Sequence, residues 1–152
     1  MMLFLLVGWE AIGTTRRVLP WSLLRGQYDS RQLLSHLLQT PGSGRVLGVT
    51  GVDLFAPVLT FVLGEAHLDG RCALVSTHRL REEHYGYAPN SRLLQQRLEK
   101  EALHELGHSH GLVHCPSWNC VMHASATVED VDLKATRFCR SCLGATRRRG
   151  SL

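Results

Sequence analysis

The sequence predicts an α+β fold, in which one body of strands and helices is followed by a small irregular lobe. Apolar runs of strand type lie on both sides of a first helical segment, and a longer helical segment follows the last of these runs. Beyond residue 111 the chain has few apolar runs but carries four of its five cysteines. These observations together predict the body and the lobe.

Length and composition are those of a single globular domain, here residues 1–152. Of these residues 44% are hydrophobic and 20% are charged, which argues against a predominantly disordered protein. The formal net charge is +4, and much of the excess lies in late arginines. We interpret residues 146–152 as a basic, solvated tail.

The first half of the chain predicts strands around one helix. MMLFLLVGW is predicted to be a buried first strand, because it lacks the basic segment and cleavage site of a secretion signal and Glu10 ends it far short of a membrane span. An irregular connection, with a short strand near residues 16–19, is predicted next. The leucine pairs of SRQLLSHLLQT predict a helix capped by Asp29 or Ser30. Three strands follow in RVLGVTGVDL, LTFVLGEA and RCALVSTHRL, and HLDG joins the last two as a hairpin.

A second helix is predicted to begin after a cap at Asn90 or Ser91. Its core-facing residues recur at every fourth position, namely Leu94, Leu98, Ala102 and Leu106. After this helix, VEDVDLKATRFC is the only stretch that we predict to be helical.

The segment HELGHSHGLVHC has the spacing of a metal site. Four helical residues advance about 400°, so His104 and His108 share one face and both imidazoles can reach one ion. Glu105 can take a proton from a metal-bound water. His114 can join them only if the helix stops, and Gly111 permits the left-handed turn that ends it. Three nitrogens leave the fourth position of a tetrahedral zinc open, as in catalytic sites. His110 fits no ligand offset and is expected to face solvent.

The late cysteines have the spacing of a second metal site. C-x4-C followed by C-x2-C is a four-thiolate pattern, in a lobe too small and polar to become ordered without a metal. Two disulfides are the alternative. Because no secretion signal is found, the clustered cysteines favour a reducing, cytoplasmic location. Cys72 is predicted to be a buried core residue.

The sequence resembles the archaemetzincins, a subfamily of the metzincin metallopeptidases. HELGHSHGLVH fits HExxHxxGxxH, a later methionine follows, and CPSWNCVM and CRSC supply four cysteines. RGQYDSRQLL, LGVTGVDLFAPVLTFVLGEA and VSTHRLREE resemble archaemetzincin segments as well. The resemblance implies a mixed twisted β-sheet with a backing helix and an active-site helix, plus a small zinc-bound C-terminal lobe.

The resemblance also implies a role for each motif residue. Glu105 would be the general base of a zinc-dependent peptidase, Gly111 the turn between an upper subdomain (about 1–111) and a lower lobe (about 112–145), and Met122 the Met-turn residue below the histidines. The ligands of a catalytic zinc would be His104, His108 and His114. Those of a second, structural zinc would be Cys115, Cys120, Cys139 and Cys142.

Several points stay open at this stage. Certain metzincins use a tyrosine shortly after the Met-turn methionine to bind zinc or to stabilise the oxyanion of the reaction. No tyrosine follows Met122 here, so the sequence does not identify the group with this role. His123, Tyr85 and Tyr87 are weak candidates. The substrate is expected to be a peptide that pairs with an exposed edge strand at FVLGEA or its neighbour. Alternatives to a monomeric peptidase are a zinc- and peptide-binding protein of weak catalytic activity and, with less support, a nucleic-acid-binding zinc protein. No membrane partner is expected.

Overall fold

The computed structural model describes residues 3–7, 10–14 and 21–148 of the chain. Its strands are β1 (Leu3–Val7), β2 (Glu10–Thr14), β3 (Trp21–Ser22), β4 (Gln27–Asp29), β5 (Val46–Thr50), β6 (Leu54–Phe55), β7 (Gly64–Ala66) and β8 (Cys72–Ser76). Its helices are α1 (Ser30–Leu37), α2 (Ser91–Ser109), α3 (Val128–Leu133) and α4 (Arg140–Arg148), and short 3₁₀ turns span His78–Leu80 and Glu82–Tyr85.

The main sheet is mixed and has five described strands in the order β2-β1-β5-β8-β7. β5 and β8 run parallel, whereas β1 pairs with β5, and β7 with β8, in antiparallel register. The β7–β8 hairpin therefore confirms the predicted HLDG connection and leaves β7 at one edge of the described sheet. β3, β4 and β6 form a second, small sheet.

Helices cover both faces of the main sheet. Asp29 caps α1 by accepting a hydrogen bond from the Arg31 amide, and the leucine face of α1 packs with Cys72 and Leu74 of β8. Asn90 caps α2, whose predicted apolar stripe packs in a cluster with Ala73 and Val75 of the same strand. Since successive strand residues point to opposite faces, β8 contributes alternate side chains to the two layers.

The lobe after α2 forms a third apolar cluster. Its fully buried members include Cys120, Val121 and Met122, and Phe138 and Ala145 pack against them. α3 confirms the helix predicted in VEDVDLKATRFC, and Thr127 and Asp130 close its first turn as a capping box.

Several sequence predictions need correction, and two others lie outside the described residues. α4 was not predicted, because RSCLGATRR has a weak apolar pattern and its packing face is formed by cysteines and alanine. The predicted boundary between lobe and tail at residue 146 falls inside this helix. The connection after the first strand contains β2, β3 and β4. The strand predicted near residues 16–19 and the burial of the first strand lie outside the described residues. No helix among the described residues is long and apolar enough to cross a membrane.

Candidate metal centre

The last turns of α2 bring His104 and His108 together. Their Nε2 atoms lie 3.0 Å apart. The Nδ1 of His104 lies 2.8 Å from the Val121 carbonyl oxygen, and the Nδ1 of His108 lies 2.7 Å from the Leu112 carbonyl oxygen. Because each Nδ1–H donates to a backbone carbonyl, each Nε2 keeps its lone pair for a ligand bond.

The end of α2 turns the chain back towards these rings. Gly111 has φ 80°, and its amide donates to the His108 carbonyl while the Leu112 amide donates to the Gly107 carbonyl. This is the Schellman pattern, in which a left-handed residue ends the helix. The turn carries His114 to ring-centroid distances of 5.3 Å from His104 and 4.9 Å from His108. The role predicted for Gly111 in ending the helix therefore agrees with the geometry.

The three histidines fit a zinc ion in both chemistry and distance. One ring nitrogen from each lies within 4.8 Å of the other two. Tetrahedral zinc with Zn–N bonds near 2.0–2.1 Å needs nitrogens about 3.3 Å apart, so little movement is required. Burial lowers the pKa of His104 to about 3, and Lys134 acts in the same direction. Burial also lowers the pKa of His108 and His114, so all three rings are neutral at pH 7, as ligands must be.

Glu105 lies beside this cluster and is 5% exposed. Burial, reinforced by the negative charge of Glu101, raises its pKa well above the ordinary value for glutamate. Gly64 of the edge strand approaches it closely, because a Cβ built on Gly64 would lie 2.7 Å from both Cγ and Oε1 of Glu105. The absence of a side chain at Gly64 thus lets the edge strand lie directly against this carboxyl group.

An open cleft of about 650 Å³ runs over the histidines. The sheet side is formed by residues 59–66 and Leu68, and the lobe side by Val113 and residues 124–126. Between the two sides lie Glu101, His104, Glu105, His108 and His114. The cleft therefore connects the edge strand to the candidate metal ligands.

A buried ion pair lies below the cleft and was not predicted. Lys134, whose side chain is 1% exposed, places Nζ 2.7 Å from Oε1 of Glu101, whose side chain is 4% exposed. The same Nζ lies 3.4 Å from Nδ1 of His104. In the sequence, Lys134 lies within the predicted helical segment VEDVDLKATRFC, and nothing local indicates that it is buried.

The four late cysteines also converge. Their sulfurs lie within 4.8 Å of one another, all four are free thiols, and Cys115 and Cys139 have their Sγ atoms 3.8 Å apart. A disulfide needs about 2.05 Å, whereas two sulfurs on one tetrahedral zinc lie about 3.8 Å apart. The Cys139 amide donates to the Cys120 sulfur, and hydrogen bonding from the Cys142 backbone lowers the pKa of Cys139 to about 7. This geometry fits the metal and not the disulfide alternative.

Met122 lies beneath the histidine helix and links it to the cysteine cluster. It is fully buried, and a Cβ built on Gly107 of α2 would lie 2.3 Å from its sulfur. Its carbonyl oxygen accepts a hydrogen bond from the Cys115 amide at 2.9 Å. Met122 therefore contacts both the helix that carries His104 and His108 and the loop that carries Cys115.

Several residues do not lie where the sequence analysis predicts them. His110 is 5% exposed and not solvent-facing, because the β7–β8 turn packs over the end of α2, where the Asp69 amide donates to the His108 carbonyl. Tyr85, Tyr87 and His123 do not line the cleft. The Tyr85 hydroxyl donates to the Arg79 carbonyl, and Nδ1 of His123 lies 3.0 Å from the Cys115 carbonyl oxygen.

The fold and the two candidate metal-binding clusters fit a zinc metallopeptidase. A peptidase family M54 model matches residues 17–148. The chain therefore belongs to peptidase family M54.

Similar proteins agree with this assignment. The archaemetzincin of Methanocaldococcus jannaschii is 46% identical over 133 residues, which are 88% of this chain and 73% of that protein. The crystal structure of Methanopyrus kandleri archaemetzincin is 45% identical, with a TM-score of 0.78 over 85% of this chain and 69% of that chain. A zinc-dependent peptidase structure from Methanocorpusculum labreanum is 29% identical, with a TM-score of 0.79 over 86% of this chain and 80% of that chain. The resemblance to archaemetzincins and the predicted fold class are confirmed.

Proposed function

We propose that this chain hydrolyses peptide bonds at a zinc ion held by His104, His108 and His114, with Glu105 as the general base. The observation that carries the proposal is the convergence of the three neutral imidazoles within 4.8 Å, beside a buried carboxyl in an open cleft. Three protein ligands leave one position free for reaction, which distinguishes a catalytic from a structural zinc site.

In this mechanism the metal, when bound, supplies a Lewis acid that activates water and polarises the scissile carbonyl. The carbonyls of Val121 and Leu112 hold two imidazoles in the tautomer that presents Nε2. Glu105 takes the proton of the attacking water and passes it to the leaving amine. The raised pKa of Glu105 suits this role, because a carboxylate whose pKa is raised is a stronger base towards the attacking water.

The substrate peptide would add to the edge strand β7. Leu63 and His67 direct backbone groups at β8, since the Leu63 carbonyl accepts from the Ser76 amide and the His67 amide donates to the Cys72 carbonyl. Backbone groups alternate in an antiparallel ladder, so those of Gly64 and Ala66 face the open side. A bound peptide can pair with them by strand addition, next to Glu105.

The structural zinc would be held by the four thiolates of Cys115, Cys120, Cys139 and Cys142. Because His114 and Cys115 are adjacent, the two sites would be coupled, with the second metal restraining the loop that carries the third histidine. In this proposal each chain binds two zinc ions, residues 1–111 form an upper subdomain and residues 112–145 form a lower lobe. Met122 supports the histidines from below.

Digestion of a diverse peptide mixture, analysed by mass spectrometry, tests the proposal. The matched control is Glu105→Gln, which keeps the shape of the side chain but removes the base. We expect cleavage by the wild-type chain alone and equal zinc content, two ions per chain, in both proteins. Equal cleavage by both proteins, or none at full zinc occupancy, would contradict the peptidase assignment.

One observation favours a second candidate, a zinc- and peptide-binding protein of weak catalytic activity. None of the tyrosines lines the cleft, so no phenol is available there to stabilise an oxyanion. In this case peptides would bind the wild-type chain with measurable affinity while remaining intact.

We also propose a monomer in a reducing, cytoplasmic setting, which the four free thiols support. Peptides or proteins are the proposed partners, and nucleic acid is not. Sedimentation and a salt-dependent nucleic-acid titration test these points.

A further inference from the structure

Glu101 has the spacing of a further metal ligand. It precedes His104 by three residues on α2, and a Glu-x-x-His pair on one helix can direct both side chains at one ion. Glu101 also lines the cleft with the three histidines. A fourth protein ligand, bound beside the water, would make the site five-coordinate and take the position into which a catalytic zinc expands during the reaction.

In the structure, the Glu101 carboxylate pairs with Lys134 and does not join the histidine cluster. The Glu101 Oε1 atom lies 2.7 Å from Nζ of Lys134, but the geometry does not fit a hydrogen bond. The contact is therefore an ion pair. Glu101 is not among the groups within 4.8 Å of one another at the histidine site. Both side chains are nearly inaccessible to water, which leaves each charge dependent on the other.

Lys134 is itself fixed from the lobe side. It ends α3, where its amide donates to the Asp130 carbonyl, and its Nζ also lies 3.5 Å from the His123 carbonyl oxygen. The ammonium thus reaches from the lobe to the active-site helix, one turn before the histidine motif.

We propose that Lys134 is a positioning residue that keeps Glu101 away from the catalytic metal and so preserves its open coordination position. This inference rests on the proposed function, because it takes the three histidines as the zinc ligands. Removal of the Lys134 charge frees Glu101 to become a fourth protein ligand. Metal binding then tightens while catalysis falls, a combination that a loss of packing alone does not produce.

The test uses Co²⁺ as a probe, since its visible absorption distinguishes four from five ligands. Zinc, which does not absorb, stays in the cysteine cluster, while a chelator empties the histidine site for Co²⁺. Lys134→Met should weaken the visible bands, as expected for a fifth ligand, and lower the Co²⁺ dissociation constant about tenfold. Peptide cleavage should fall on the order of 100-fold.

Two further variants make the result specific. Lys134→Met combined with Glu101→Gln should restore the four-coordinate spectrum and the wild-type Co²⁺ affinity. Arg97→Met is the matched control, because Arg97 is, like Lys134, a buried cation in an ion pair, but it lies on α2 and pairs with Glu82 and Asp132. It should leave the Co²⁺ spectrum unchanged.

Lys134→Gln covers the case in which Lys134→Met does not fold, since Gln keeps a polar group at this buried position but is uncharged and too short to reach Glu101 as Lys134 does. A four-coordinate spectrum with unchanged or weaker Co²⁺ binding in the folded variant would overturn the inference and leave the peptidase proposal intact. Failure of the wild-type histidine site to bind Co²⁺ would instead refute the proposed function.

Discussion

Substitution of Gly64 by alanine should separate zinc binding from catalysis. The new Cβ would lie 2.7 Å from Cγ and Oε1 of Glu105 and 2.7 Å from the carbonyl oxygen of Leu74. These separations are about 1 Å shorter than ordinary contacts between nonbonded carbon atoms. The Leu74 carbonyl belongs to the backbone of β8 and cannot yield, so Glu105 or the edge strand must move.

The size of the effect follows from this geometry. A displacement of about 1 Å in a catalytic group can cost on the order of 100-fold in rate, and overpacking of a buried site costs about 1–3 kcal/mol of stability. Zinc content should not change, because the hydrogen bonds from His104 to Val121 and from His108 to Leu112 involve neither Gly64 nor Glu105.

The assay compares kcat/KM on a peptide identified in the digestion screen with zinc content and the free energy of unfolding in urea. Gly51→Ala is the matched control, because a Cβ there meets its nearest neighbours at 3.7 and 3.8 Å, which is ordinary contact. If Gly64→Ala kept wild-type kcat/KM and stability, the close approach of edge strand and Glu105 would have no functional importance.

Three further predictions concern the metals, pH and the buried ion pairs. Cys139→Ser should reduce the zinc content from two ions to one per chain. Because His114 and Cys115 are adjacent, it should also weaken zinc binding at the histidines, as metal analysis and chelator competition would show. Unchanged zinc affinity at the histidines would argue against coupling between the two sites. Metal-free Glu105→Gln, which removes the opposing effect of the raised Glu105 pKa, should lose stability as the pH falls below about 6.5, because burial lowers the pKa of His104 from 6.5 to about 3 and protons then bind preferentially to the unfolded state. Urea unfolding at pH 7.5 and 5 would test this, and greater stability at pH 5 would contradict it. Arg97→Met should destabilise the protein by about 1.5–3 kcal/mol, because the 5% exposed guanidinium loses its charge-assisted hydrogen bonds to Glu82 and Asp132, whose side chains are only partly buried. A loss below about 0.5 kcal/mol in urea unfolding would show that water replaces these hydrogen bonds.

The histidine site was predictable because its information is local. Four residues separate His104 from His108, so helical geometry alone brings them to one face. Gly111 marks the end of that helix by its backbone preference. The caps Asp29 and Asn90 were likewise predictable from their own side chains, which hydrogen-bond to amides two or three residues away.

Other features could not be read locally. Helix α4 has little apolar pattern of its own and forms where its cysteines join the lobe cluster. His110 has the sequence context of an exposed residue, yet the hairpin turn of another part of the chain covers it. In the sequence, Gly64 is an ordinary glycine in an apolar run. Its close approach to Glu105 arises only because α2 packs against the edge strand.

The sequence by itself determined the candidate metal-binding chemistry of this protein, because the types of side chain, their spacing and the turn at Gly111 act over a few residues. The tertiary structure alone decided which groups surround that chemistry. Lys134 and Glu101 are 33 positions apart, and only the docking of the lobe on α2 removes both from water and makes each the counterion of the other. Long-range burial sets their energies, since a charge is costly only where the folded chain excludes solvent.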